Sequence, residues 1–137
     1  MKKKPGFTLL ELLLVMVIVG ITAGIAIYSY PSFAERNIGK EAEVSLKLIY
    51  HAQKRHAFDN HGTYFSCAPH CTTELINSNL GIELRQANFT YSIAWRDPSA
   101  KAGFIAEATR KSKGSCANKK MILTDLGGQP EKRCAQW

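Results

Sequence analysis

The feature that most limits the fold of this 137-residue chain is an apolar run near its N-terminus. Residues 7–30 contain one charged side chain, Glu11, in 24 positions. At about 1.5 Å per residue, a helix of this run would be about 36 Å long, enough to cross the roughly 30 Å hydrocarbon core of a bilayer. We therefore expect residues 7–30 to form a hydrophobic transmembrane helix.

Glu11 lies inside this apolar run, and its presence there requires a physical explanation. An ionised carboxylate within a membrane helix costs a few kcal/mol even on lenient insertion scales. One reason is local, because the spacing of Thr8 and Glu11 matches the S/T-x-x-E capping box. In that motif the Glu11 side chain would reach back to the Thr8 amide, near the positive end of the helix.

Residues 1–6, MKKKPG, precede the apolar run and carry three lysines. The positive-inside bias predicts that this leader stays in the cytoplasm and that the rest of the chain lies outside. An ordinary secretory signal has a shorter apolar region, followed by a small-residue cleavage site. Here the best small residue, Gly6, comes before the run, and an anchor that is never cleaved would leave Glu11 unexplained.

The Lys-rich leader, the sequence GFTLLE and the unbroken apolar helix resemble the prepilin signal of type IV pilins and their type II secretion relatives. The resemblance implies that a membrane-embedded prepilin peptidase cuts between Gly6 and Phe7 and methylates the new amine of Phe7. It also implies that Glu11 of one subunit meets this amine on a neighbouring subunit. A buried cation that needs a partner would then set the axial register of the filament.

Gly20 and Gly24 form a small-xxx-small pattern that lets helices approach each other closely. Each glycine also weakens the helix by roughly 1 kcal/mol relative to alanine. Similar regions of pilins unwind in the fibre, usually between a glycine and a following proline. Because Pro31 comes later than is usual in that family, the place where this helix would melt stays open.

Residues 31–58 continue the helix with an amphipathic pattern, which predicts one face on a sheet and the other in water. The apolar stripe consists of Ile38, Ala42, Leu46, Ile49 and Ala52. The side expected to face water carries Glu35, Arg36, Lys40, Glu43, Lys47 and Lys54.

Residues 59–137 are predicted to form an exported globular head. The turn formers in DNHGTYF end the helix, and Leu75–Leu84 is expected to be partly helical. Alternation and flanking turns predict strands at Asn88–Trp95, Phe104–Thr109 and Lys120–Thr124. The expected fold class is α+β, with the long N-terminal helix packed on three or four antiparallel strands. The element order resembles that of the pilin head.

All four cysteines lie in the exported part, where an even number favours disulfides. Three pairings are possible, and resemblance to pilins that close a C-terminal loop favours Cys116–Cys134, with Cys67–Cys71 as the second pair. A metal site near Cys67, His70 and Cys71 is disfavoured, because C-x₃-C is a loose spacing and the compartment is oxidising. We expect neither a metal nor a cofactor.

The chain has a formal charge of +7, and its C-terminal third is rich in cations. The preferred interpretation is a solvated guard of the sheet edge, since edge lysines discourage strand addition. The alternative is a patch that binds DNA weakly through its phosphates. The candidate patch residues are Arg110, Lys111, Lys113, Lys119 and Lys120.

No nucleophile with a base, phosphate-binding glycine loop or carboxylate pair stands out, so we expect no enzyme activity. The main hypothesis is a structural subunit of a type IV pilus, first held in the inner membrane and later part of an extracellular filament. Its partners would be copies of itself or related pilins, and the prepilin peptidase/methylase. The alternatives are a type II secretion pseudopilin, or a minor pilin that acts as a DNA receptor or adhesin. Whether such a filament serves motility, adhesion, DNA uptake or secretion stays open.

Overall fold

The protein is described by a computed structural model that covers residues 7–111 and 114–137, without the side chains of Tyr28 and Ser29. The chain divides into two units, Met1–Ala34 and Glu35–Trp137, which we call the N-terminal unit and the head unit. The helices of the described residues are α1 (Leu9–Asp59) and α2 (Thr73–Leu80), and the strands are β1 (Phe89–Asp97), β2 (Ala102–Arg110), β3 (Lys120–Thr124) and β4 (Glu131–Lys132).

The part of α1 in the N-terminal unit is an apolar helix that starts at a threonine cap. The Thr8 hydroxyl accepts a hydrogen bond from the Glu11 amide at 3.3 Å. Pro31 lies within the helix rather than at its end. Because proline has no N–H, one intrahelical hydrogen bond is missing there, and a proline in a helix interior costs about 3 kcal/mol.

In the head unit, α1 and the sheet share one hydrophobic core. The predicted stripe of α1 is buried at Ala42, Leu46, Ile49 and Ala52, and Ile38 is half-buried against the same core. Apolar residues at three- and four-residue steps lie on one face of a helix, and the sheet provides the surface that covers them.

The four strands form an antiparallel sheet in the order β1-β2-β3-β4. Its register places Tyr91 opposite Ala108, and Ala108 opposite Met121. Phe89, Tyr91 and Ile93 are buried on the core face of β1, as the alternation predicted. The predicted α+β class is therefore confirmed, with a fourth strand of two residues added at the edge.

The segment Leu75–Leu84, predicted to be partly helical, contains the last six residues of α2. Helix α2 begins two residues earlier, at Thr73, because the Thr72 hydroxyl caps it by accepting from the Leu75 amide at 3.2 Å. It ends at Leu80, since Gly81 adopts a left-handed backbone with φ 63°. Glu35, which was expected to face water, is instead buried.

Candidate assembly helix and head surface

The first candidate site is the apolar stretch Leu9–Ile27 of α1. Its 19 residues have a mean hydropathy of 2.6, and none of them is buried in the structure. By length and composition the stretch can cross a membrane. It can equally bury its side chains among other helices, and either environment would remove this large apolar surface from water.

The polar groups of this stretch are satisfied locally or lie at its start. The Thr22 hydroxyl donates to the Ile18 and Val19 carbonyl oxygens, at 2.9 and 3.1 Å. At the helix start, Thr8 caps the Glu11 amide, which gives one half of the expected capping box. Within residues 7–111 and 114–137, the Glu11 carboxylate has no hydrogen bond or ion pair. The carboxylate is therefore free to meet a cation from outside the described chain.

The predicted cleavage site is only partly described. Phe7 is exposed just before the first turn of α1, whereas Gly6 lies outside the described residues. The structure thus places Phe7, Thr8 and Glu11 together at the N-terminal end of the apolar stretch.

Gly20 and Gly24 have no neighbour within the chain that requires them to be glycine. A Cβ atom added at either position would meet nothing within 4 Å, apart from the helix's own backbone. Their cost in helix stability is therefore not offset by intramolecular packing. Close approach by a second helix would offset it.

The cysteines form the two pairs preferred from the sequence. Cys67 is bonded to Cys71, and Cys116 is bonded to Cys134. The first bridge occupies both thiols of the C-x₃-C segment, so neither is available to a metal. The second bridge closes the loop that carries β3 and β4.

A buried charged cluster connects α1 to the end of the sheet. Arg110 Nη2 lies 3.6 Å from Glu35 Oε1, and the side chains of Arg110 and Glu35 are 5% and 8% exposed. Arg110 Nη1 donates to the Asn88 carbonyl and side-chain oxygens at 3.2 and 3.1 Å, and Asn88 Nδ2 donates to Glu41 at 2.7 Å. Arg110 therefore holds the helix and does not belong to an exposed patch.

This cluster was missed from the sequence, although two patterns could have found it. Arg110 has the same strand parity as Phe104, Ala106 and Ala108, which are all buried. Glu35 stands seven residues before Ala42, and this spacing returns a side chain to nearly the same helix face.

The C-terminal tail packs on the same part of α1. A Cβ at Gly39 would lie 2.7 Å from Cδ1 of Trp137, so only glycine leaves room for the indole. The Trp137 ring also contacts Phe89 edge-on, with 5.7 Å between ring centroids. The Cys116–Cys134 bridge lies just before this contact and limits the freedom of the tail.

The remaining candidate patch cations do not converge on one site. The Lys111 amine donates to the Gln86 carbonyl oxygen, and Lys120 forms an ion pair with Glu107 at 2.8 Å. Lys119 is exposed, and Lys113 lies outside the described residues. Of the four candidate patch cations among the described residues, three are therefore held by intramolecular partners, namely Arg110, Lys111 and Lys120.

Glu43 joins α1 to the edge strand β4. Its carboxylate pairs with Lys47 at 2.9 Å and with Lys132 at 3.0 Å. Hydrogen bonds from these two amines, that of Lys47 first, lower the pKa of Glu43 below its ordinary value.

Comparison with known proteins agrees with the N-terminal motif. Residues 1–27 match the family model of the prokaryotic N-terminal methylation motif. The type IV major pilin protein PilA of Myxococcus xanthus (strain DK1622) is 49% identical over 52 residues. That match covers 38% of this chain and 24% of the relative, so it spans about a quarter of the curated protein's length. No solved structure matches the chain significantly.

Proposed function

We propose that this chain is a structural subunit of a type IV pilus, because residues 1–27 match the N-terminal methylation motif and 52 residues of the chain are 49% identical to a type IV major pilin. In this proposal the chain is made as a prepilin, cleaved between Gly6 and Phe7, and methylated on Phe7. It is then drawn from the inner membrane into an extracellular filament through the apolar part of α1. The subunit has no catalytic role of its own.

The observation that carries the proposal is that no residue of the apolar stretch Leu9–Ile27 is buried within the chain. A helix with this apolar surface needs a hydrophobic environment, first as a membrane span and then within a bundle of like helices. Gly20 and Gly24, which have open space around them, would allow close approach in such a bundle. The head unit, with its own core and two disulfides, would remain folded outside the membrane.

Glu11 would act between subunits in this assembly. Cleavage after Gly6 creates a cationic amine on Phe7, and methylation leaves that charge in place. Inside a helix bundle an unpaired cation is expensive, and so is the Glu11 carboxylate. Pairing the amine of one subunit with Glu11 of the next removes both costs at one axial offset only. The pair would therefore set the register, while helix packing supplies most of the assembly energy.

Because the Myxococcus relative is a type IV major pilin, we favour a pilus subunit over a type II secretion pseudopilin. We therefore expect to find this chain in filaments and not in a short periplasmic assembly. The pilus subunit would contact copies of itself or related pilins, and before assembly the prepilin peptidase.

Mass spectrometry of filaments sheared from cells tests the processing steps directly. We expect a chain that begins at methylated Phe7 and is four hydrogens lighter than the reduced form, because of its two disulfides. Filaments built from chains that still start at Met1 would overturn the proposal.

Two substitutions separate the assembly role of Glu11 from its capping geometry. Glu11→Gln retains a side chain that suits a capping box but cannot neutralise an amine, so we expect a large loss of filaments. Thr8→Ala removes the observed cap and should cost only about 1 kcal/mol of helix stability. A normal filament yield from Glu11→Gln, with the protein present in the membrane at its usual level, would contradict the assembly role.

A further inference from the structure

The chain enters the head unit at one end of the sheet. Glu35 is the first residue of this unit, and the loop between β2 and β3 lies against it, because a Cβ atom added at Gly114 would be 3.1 Å from Cδ of Glu35. Arg110, which pairs with Glu35, donates its amide to the Lys119 carbonyl oxygen at 2.9 Å. We call this part of the molecule the proximal end of the head and define it as the described residues 35–37, 110–111 and 114–119.

Only a short piece of chain separates the proximal end from the proposed membrane span. Eight residue steps lead from Ile27 to Glu35, which is about 12 Å of α-helix. Between them, Tyr30 and Phe33 are 71% and 64% exposed, and aromatic side chains are typical of the interfacial layer beyond a span. The headgroup layer of one leaflet is roughly 5–8 Å thick. The proximal end would therefore lie within about one Debye length of the headgroups, roughly 8 Å at physiological salt.

Three cations of the proximal end are available to such a surface. Arg36 and Lys119 are exposed and form no ion pair with any residue that the structure describes. Lys111 is half-buried, and its amine donates to the neutral carbonyl of Gln86, a contact that leaves its charge uncompensated. These cations are spread over one end of the head and do not converge on one point. That distribution suits a surface of many phosphates better than a single bound anion.

Most acidic side chains near the proximal end are balanced by cations of the head itself. Four of them form ion pairs with 2.8–3.6 Å between the charged atoms, namely Glu35–Arg110, Glu43–Lys132, Glu107–Lys120 and Glu131–Arg133. Two more, Glu41 and Glu83, line one groove together with Lys40 and Arg85, so these four charges also balance.

Glu74 is the remaining acidic residue in this region. Its carboxylate accepts a hydrogen bond from the Gln86 side chain at 2.6 Å, and the carbonyl of Gln86 is the acceptor for Lys111. Arg36, Lys111 and Lys119 still outnumber this one carboxylate. The proximal end therefore keeps an excess of positive charge, which favours an anionic surface over a neutral one.

We propose that the proximal end of the head rests on anionic phospholipid headgroups while the chain is held in the membrane. The inference rests on the proposed function, since it needs Leu9–Ile27 to span a bilayer. The span keeps headgroup phosphates next to these cations at all times before assembly, whereas DNA would have to be captured from solution. The contact has to break when a subunit leaves the membrane for a filament. It would thus stabilise the unassembled subunits in the membrane.

Paramagnetic broadening in lipid nanodiscs tests this contact on the full-length chain. The discs contain a small amount of a lipid with a nitroxide on its headgroup, and amide NMR signals are compared between two lipid mixtures. One mixture is phosphatidylcholine alone, and in the other phosphatidylglycerol replaces one third of it. We expect the amides of Ala117 and Asn118 to broaden more in the anionic discs. The amides of Ser99 and Ala100, in the turn at the far end of β1 and β2, should not respond to the change of lipid.

Two double variants separate the charge of the proximal end from the total charge of the head. Arg36→Gln with Lys119→Gln should lower the ratio of headgroup-bound to unbound heads by about fivefold for each cation removed, and the extra broadening should disappear. The matched control, Lys54→Gln with Lys101→Gln, removes the same charge from outside the proximal end and should keep the extra broadening. Lys54 follows Arg36 by 18 positions, about 27 Å of helix. Raising the salt to about 1 M shortens the Debye length to about 3 Å and should abolish the difference between the lipids in the unsubstituted chain.

Equal broadening of Ala117 and Asn118 in both lipid mixtures, with the chain inserted and its other amide signals in place, would overturn the inference and leave the pilus proposal intact. Loss of the extra broadening in the control variant would also overturn it. Loop signals that move when a short DNA duplex is added to neutral discs, without any response to anionic lipid, would assign the cations to nucleic acid and overturn it as well. A chain that inserts into neither kind of disc would instead overturn the proposed function.

Discussion

The two units of this chain use the same helix in opposite ways. In the N-terminal unit, α1 presents its leucines, isoleucines and valines to the surroundings, and Leu9–Ile27 has no buried residue. In the head unit, the same helix buries Leu46 and Ile49 completely against the sheet. The difference is whether the chain itself supplies a covering surface. The head therefore carries its own stability, whereas the N-terminal unit needs an environment from outside the chain.

The buried or apolar surroundings of charged residues differ between the two units in the same way. The head can bury Glu35 because Arg110 of the sheet lies 3.6 Å away. The N-terminal unit offers Glu11 no such partner within the described residues. Substitutions that affect the paired carboxylate of Glu35 should therefore change the stability of the head, whereas substitution of Glu11 should not. The apolar residues of the two units should differ in the same way.

The largest effect is expected from breaking the buried pair. Arg110→Met leaves the Glu35 carboxylate buried without its cation, which should lower the free energy of unfolding of the head by about 3–5 kcal/mol. Chemical denaturation of the full chain in detergent, followed by the signal of a head tryptophan, measures this loss.

Two controls sharpen the comparison. Adding Glu35→Gln to Arg110→Met removes the stranded charge and should recover a large part of the lost stability. Arg133→Met breaks the exposed pair with Glu131 and should cost less than about 1 kcal/mol. Equal losses from Arg133→Met and Arg110→Met would contradict a special role for burial.

Matched leucine substitutions on α1 compare the two units directly. Leu46 is fully buried, and Leu13 is 61% exposed. Leu46→Ala should lower the free energy of unfolding of the head by about 2–5 kcal/mol, through lost burial and the cavity left behind. Leu13→Ala should change it by less than about 0.5 kcal/mol, as surface substitutions do. The same denaturation measurement tests both predictions, and a comparable loss from Leu13→Ala would contradict the expected difference between the two units.

The two disulfides of the head should contribute different amounts of stability, because they close loops of different length. Replacing Cys116 and Cys134 with serine opens a long loop and should cost about 3 kcal/mol by chain entropy. The corresponding replacement of Cys67 and Cys71 opens a five-residue loop and should cost about 2 kcal/mol. Denaturation midpoints of the two double variants measure the difference, and the opposite order would contradict the loop-entropy account.

The sequence predicted the elements that have a strong hydrophobic period. The 3.6-residue stripe of α1 and the alternation in β1 each arise from packing on one core. The positions of the apolar residues therefore indicate which face of the helix or strand is buried. Three or four strands were predicted, but the position of β4 was not, because its two residues, Glu131 and Lys132, are exposed and have no apolar pattern. The edge position of β4 depends on pairing with β3 and on the contact of Lys132 with Glu43.

The parts of the candidate site that lie close together in the sequence could be predicted. The sequence pattern around each of them indicates the apolar helix, the role of Glu11 and the glycine pair. The Glu35–Arg110 pair could not be assigned as easily, since its members are 75 positions apart and charged residues are usually solvated.

The smallest expected effect concerns pH and the edge of the head. Hydrogen bonds from Lys47 and Lys132 hold the pKa of Glu43 below its ordinary value of 4.5. A carboxyl whose pKa is lowered by folding contributes stability that is complete above its unfolded pKa and is lost as the pH falls through the folded pKa. The head should therefore lose this contribution below about pH 4.5, as Glu43 becomes protonated and releases the two amines.

Lys132→Met isolates the part of this effect that depends on the sheet edge. Lys47 is on the same helix as Glu43, so its contact survives, whereas Lys132 is the link to β4. The substitution should raise the Glu43 pKa part of the way towards its ordinary value, as measured by NMR titration. It should also lower the stability of the head at pH 7 by less than about 1 kcal/mol, since these side chains are partly exposed. An unchanged Glu43 pKa would mean that β4 is not held to α1 by this contact. Its short pairing with β3 would then have to hold the strand, and edge exchange of the β4 amides should be correspondingly fast.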